Sequence, residues 1–178
     1  MFNKYKNKLL NIPSLIIGEV DNIDFDIVGL FSNFFIIGVN SSFLNYPNCD
    51  ILILNNIKLI KKHSNKINGL RCSKICMEGG NLIRGNLSVF LKKKTQTNKQ
   101  KVPHLYNNNC AQDLAIQVAL MLGCKPILTA GIDFLPNYKN NKILSITSGE
   151  HNSVDPFLAY SKYNDRCKDK LDLLKRLI

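Results

Sequence analysis

Acidic side chains are scarce in this chain: 13 Asp and Glu stand against 24 Lys and Arg in 178 residues, a formal charge of +11. Such a balance concentrates anions near the surface, whether nucleic acid, phospholipid headgroups or a phosphorylated small molecule, without saying which. Aromatics are missing where a nucleic-acid stacking platform needs them. The lysine clusters, Lys4 to Lys8, Lys61 to Lys66, Lys92 to Lys101 and Lys168 to Arg176, are nowhere regularly interleaved with Phe or Tyr. Two readings stay open for them: a solvated surface encoded by an AT-rich genome, or a footprint for nucleic acid, a membrane surface or an acidic protein.

A long apolar run is also missing. The start, MFNKYKNKLLNIPSLIIG, holds only a short apolar stretch broken by Pro13, and it has no small-residue cleavage site. The expectation is therefore an unexported, cytoplasmic protein without a transmembrane segment, in host cytoplasm if a phage or virus encodes it. Paired metal-ligand motifs are absent too. Cys72 and Cys76 form a C-x3-C with no second pair, the other four cysteines are scattered, and the three histidines lie far off in sequence. That spacing speaks against zinc and for reduced thiols in the core. No repeat or interdomain linker is evident, so residues 1–178 are read as one domain, with a core at about 14–134 and a C-terminal loop and helix over 135–178.

What is present is a series of strand-length apolar runs: 14–18, 34–39, 50–54, 70–76, 87–91 and 126–132. Several are continuously apolar rather than alternating, as in strands covered on both faces. Short helices fit 24–32 and 55–63, and CAQDLAIQVALML over 110–122 makes the best helix, ended by Gly123, with Pro126 opening the next strand. From Pro156 to Ile178, Leu158, Leu171, Leu174 and Leu177 among charges predict an amphipathic C-terminal helix. The polar stretch 92–109 is an exposed loop or a lid over a site. The fold class expected is α/β: a Rossmann-like three-layer domain with a mostly parallel sheet.

In open α/β sheets, ligands bind outside the carboxyl ends of the strands. The polar residues there are Glu19 and Asp21, then Asn40, Ser41 and Ser42, then Asn55 and Asn56, and last Asp133, which ends the run GCKPILTAGIDF. Asn107, Asn108 and Asn109 precede the best helix, as a turn, a cap or a ligand contact. Asn40 reads equally as a helix cap. Asp133 either holds a turn or accepts hydrogen bonds from ribose hydroxyls. Asp24 and Asp26 spell D-x-D, but they fall at the start of a helix, where acids complement the dipole, so no metal is expected.

The succession LIIG, DNIDFDIVGLFSNFFIIGVNSSFLNYPNCDILIL and NNNCAQDLAIQVALMLGCKPILTAGIDF resembles a Rossmann-like family that includes the family-42 sialyltransferases, phage and flagellar glycosylation proteins and archaeal 6-hydroxymethylpterin diphosphokinase-like domains. The resemblance covers roughly residues 14–134 and is strongest over 111–134. It implies a nucleotide contact at Asn40 and another at Asp133, with Gly18, Ser41 and Asn109 beside them. In GEHNSVDPFLAY it places a general base at His151, followed by Asp155 and a helix. An imidazole suits deprotonation of a sugar hydroxyl near neutral pH, although a surface-loop histidine reads the same way.

The chain departs from that family at two places. The Asn-Gly-Pro-Ser loop expected after LIIG is replaced by Glu19, Val20, Asp21 and Asn22, and the Ser-Gly step before the best helix by Ala111-Gln112. Glycines that let backbone approach phosphate are lost and negative charge is added. Three functions are weighed. One is a metal-independent glycosyltransferase-like enzyme taking a nucleotide sugar as its donor substrate, with no further cofactor and with Lys101 or Lys92–Lys94 compensating the leaving phosphate. Another is a catalytically degenerate binding or assembly protein that contacts nucleic acid or an acidic partner. A diphosphokinase is the third, which would need the phosphate-cradling glycines that this chain lacks and a metal.

Overall fold

The computed structural model describes residues 5–19, 23–77, 79–84, 92–93, 106–107, 110–132, 143–145, 155–163 and 166. Their chain order is β1 (Ser14–Ile17), α1 (Phe25–Leu30), β2 (Phe35–Val39), β3 (Ile51–Leu54), α2 (Ile57–Gly69), β4 (Ser73–Cys76), β5 (Lys92–Lys93), β6 (Tyr106–Asn107), α3 (Ala111–Leu122), β7 (Ile127–Ala130), β8 (Ile143–Ser145) and α4 (Pro156–Tyr163), with 3-10 turns at Asn40–Leu44 and Gly80–Leu82. Six strands form one sheet in the order β4-β3-β2-β1-β7-β8, and β5 pairs with β6 apart from it. Every pairing in the main sheet is parallel.

The register explains the continuous apolar runs. β1 lies between β2 and β7, with Ile16 opposite Ile37 on one side and Thr129 on the other. Alternation along each strand then sends successive side chains to opposite faces. Ile16, Phe35, Ile37, Val39, Ile51, Ile53, Ile75 and Ile127 meet Leu114, Ala115, Val118 and Leu122 of α3 on one face. Leu15, Ile17, Ile36, Leu52, Leu54, Leu128 and Leu144 meet Val28 of α1, Ile60 and Ile67 of α2, and Ala159 and Tyr163 of α4 on the other. The result is a three-layer α/β arrangement, as expected from strands covered on both sides. Each fully buried Ile, Leu or Phe contributes about 1.5–3 kcal/mol by leaving water, which makes this alternation the main source of stability.

Five of the six expected strands are found, and 87–91 lies outside the described residues. β8 was not expected, because three residues are too few for a periodicity to show. α2 runs to Gly69 rather than stopping at His63, where non-helical torsions mark a kink inside the helix. Of the C-terminal helix, α4 covers Pro156–Tyr163; there Ala159 and Tyr163 are buried, while Leu158, expected to pack, is 68% exposed. Leu171, Leu174 and Leu177 lie outside the described residues. Among the described residues, no helix is long and apolar enough to cross a membrane.

Candidate functional site at the carboxyl edge of the sheet

The strand order runs outward from β1 through β2, β3 and β4 on one side and through β7 and β8 on the other. The winding therefore reverses between β1 and β7, and in open α/β sheets such a reversal is where ligands bind, outside the carboxyl ends of the strands. Gly18 ends β1 there and donates its N–H to the Ala130 carbonyl at 2.8 Å. A Cβ on Gly18 would overlap the carbonyl of Gly131, which itself has φ +63°. Two glycines thus let the ends of the two strands touch, the close backbone approach for which glycine is suited.

Beside this contact, three strand ends are tied by one side chain. Asn40 follows β2 with φ +44°, in the left-handed region that Asn tolerates better than most residues, and it is only 5% exposed. Its Nδ2 donates to Glu19 Oε1 after β1 at 2.6 Å and to Asn55 Oδ1 after β3 at 2.7 Å. Its Oδ1 accepts the Asn55 N–H at 2.9 Å. Both amide hydrogens of Asn40 are thereby used inside the chain. Its side chain does not cap the following 3-10 turn; that turn is held instead by Ser42, whose Oγ accepts the Val39 N–H at 2.9 Å. Ser41 sits half-buried in the same turn.

The arrangement presents the exposed Glu19 carboxylate, held from one side by Asn40, at the edge where the strand order reverses. A fixed carboxylate accepts hydrogen bonds from hydroxyls and repels phosphate, so this position suits a sugar or ribose hydroxyl rather than a diphosphate. The start of α3 lies near the same edge. That helix packs on β1, β2 and β3, and its carboxyl end meets the segment before β1, where Leu9 N–H donates to the Leu122 carbonyl. Its amino end consequently lies toward the carboxyl edge of the sheet. The residue at its cap position is Cys110, which makes no side-chain capping bond to the first-turn amides. Asp113 in that turn is buried and accepts from Gln117 Nε2 at 2.7 Å.

Other strand-end polar residues have local roles. Asp24 caps α1, its Oδ1 accepting from the N–H groups of Asp26 and Ile27 at 3.0 and 3.2 Å. Asn56 caps α2 in the same way, accepting from Lys58 and Leu59 at 3.1 Å each. Asn107 belongs to β6. Among the described residues, no group of three or more His, Cys, Asp or Glu is placed to hold a metal ion. Asn109, Asp133, His151 and Lys101 lie outside the described residues, so of the expected set the structure locates Gly18, Asn40 and Ser41. Glu19 and Asn55 were visible in the sequence as strand-end residues; their tie through Asn40 was not, because it depends on the register of three strands. No protein-family model, curated protein or solved structure matches this chain.

Proposed function

We propose that the carboxyl edge of the sheet is a nucleotide-binding cleft and that the chain is a glycosyltransferase-like protein taking a nucleotide sugar. The observation that carries this reading is the reversal of strand order between β1 and β7, with Gly18 against Gly131 at its floor. The Glu19 carboxylate receives ribose or sugar hydroxyls, and Asn40 positions Glu19 instead of gripping the nucleotide itself. The first-turn amides of α3 take the phosphate. Asp133, which follows Ile132 in the sequence, adds a second hydroxyl acceptor, with His151 as the base that activates the acceptor sugar and Lys101 as the cation opposite the leaving phosphate.

Titration calorimetry with CMP, UDP and GDP and their sugar derivatives tests the binding step. Saturable binding of one of them, weakened by Glu19→Ala, is expected; absence of heat from all of them ends the reading.

A second reading has its own observation. Lys58, Lys61, Lys62 and Lys66 are all exposed on α2, a helix without a single acid. Lys58 stands in the first turn, where a cation works against the helix dipole. A basic ridge kept at that cost favours a polyanion such as nucleic acid, which would make the chain a binding or assembly protein. Its signature is a steep salt dependence, with log affinity falling about 0.9 per phosphate neutralised for each tenfold rise in salt. Generic DNA or RNA binding that survives Glu19→Ala but is lost on Lys58→Glu with Lys62→Glu would establish it.

A further inference from the structure

At the edge of the sheet opposite the cleft, where β3 and β4 begin, two thiols meet. Ile51 of β3 is the register partner of Ser73 of β4, so Cys49 and Cys72 lie just ahead of neighbouring parallel strands. Asp50 fastens that corner. Its carbonyl accepts the Ser73 N–H at 3.1 Å, its Oδ2 accepts the Ile36 N–H at 2.8 Å, and its own N–H donates to the Ile36 carbonyl at 2.8 Å. Strand alternation puts Cys72, Lys74 and Cys76 on one face of β4, the face that packs toward α2. Cys49 is buried in the same apolar cluster, its Sγ against Gly38, and Cys72 packs against that cluster from the start of the neighbouring strand. Lys74 is buried beside them, with its Nζ donating to the Leu70 carbonyl at 2.7 Å.

We propose that Cys49 and Cys72 are a redox-active pair that a peroxide converts to a disulfide joining the starts of β3 and β4. The two sulfurs are differentiated by their surroundings. The neighbouring Cys49 thiol and then the Lys74 ammonium draw the Cys72 thiol down from its ordinary range, against the opposing effect of burial. The neighbouring Cys72, then burial, pushes the Cys49 thiol up. Cys72 is also the more open of the two, half-buried where Cys49 is buried. Cys72 is therefore the attacking sulfur and Cys49 the resolving one.

In the first step the Cys72 thiolate attacks one oxygen of hydrogen peroxide. The O–O bond breaks, Cys72 becomes a sulfenic acid, and the departing hydroxide takes up a proton to leave as water. In the second, the Cys49 sulfur attacks Cys72 Sγ, and the sulfenic hydroxyl leaves as water with the proton that Cys49 gives up. Two thiols and one peroxide become one disulfide and two waters, sulfur being oxidised and peroxide oxygen reduced. β4 is an edge strand of the sheet, so the bond staples that edge to its neighbour.

The test uses the full, reduced chain, stoichiometric hydrogen peroxide and peptide mapping without reductant. The expected product is a peptide pair linked through Cys49 and Cys72, formed before any other pairing and absent from Cys72→Ser. In Cys49→Ser, Cys72 should stop as a sulfenic acid that dimedone traps about tenfold faster than any product at Cys76, as the difference in thiolate character predicts. Oxidation that begins at another cysteine in the unsubstituted chain, or dimedone capture at Cys72 no faster than at Cys76, overturns the proposal.

Discussion

Asn40 shows how much one residue can organise. Its amide spans the ends of β1, β2 and β3, and its backbone adopts a conformation that few side chains favour. Asn40→Ala should lose these hydrogen bonds and strain the backbone, destabilising the chain by about 3 kcal/mol in urea unfolding. Asn40→Gly relieves the strain but not the lost bonds, and should recover about 1 kcal/mol of that loss. Gly18→Ala tests the other contact of the cleft. The added methyl overlaps the Gly131 carbonyl, a backbone group that cannot rotate aside, so about 3 kcal/mol should be lost. Capping residues such as Asp24 and Asn56 act on amides two and three positions on, which is why their surroundings are legible in the sequence. The Asn40 tie and the Cys49–Cys72 contact are not legible, because each joins segments brought together only by strand register.

At the scale of elements, legibility follows length and periodicity. α3 is legible because twelve residues repeat an apolar stripe and a glycine stops it, with Gly123 at φ +84° donating its N–H to the carbonyls of Ala119 and Leu120. Gly123→Ala would both strain that φ and bring a methyl to 3.1 Å from Leu10 Cα, and should lower thermal stability by about 1 kcal/mol or more. α2 continues to Gly69 past the kink at His63, beyond the stretch its sequence pattern predicts, and the three residues of β8 are too few to carry a pattern. β4 gives a pH prediction. Burial pushes the Cys76 thiol from its ordinary 9.0 up to about 11, against the opposing pull of Lys74. The native chain then holds this proton where the unfolded chain has lost it. Its contribution to stability is complete below about pH 9 and is lost as pH rises toward about 11. Burial, helped by Asp50, raises the Tyr46 hydroxyl as well, in the same sense. Urea midpoints of the reduced protein should therefore fall between these pH values, and fall less in Cys76→Ala.

For the whole molecule, the sheet decides where chemistry can occur. Continuous apolar runs gave away a parallel sheet with helices on both faces, since only strands covered twice can afford them. The strand order is not written in any local pattern. It emerges from which strands pair, and it places the reversal at β1 and β7 while leaving the basic face of α2 away from the sheet's interior. The two proposed functions thus fall on different parts of the fold, one at the carboxyl ends of β1 and β7 and one on the exposed lysines of α2. An amide NMR titration of the isotope-labelled chain with CMP, UDP and GDP separates the two directly. Nucleotide binding at the carboxyl edge should give saturable shifts grouped at Gly18, Glu19, Asn40, Asn55, Gly131 and the first turn of α3. Shifts confined to the Lys58–Lys66 face of α2, or none at any nucleotide concentration, would contradict it.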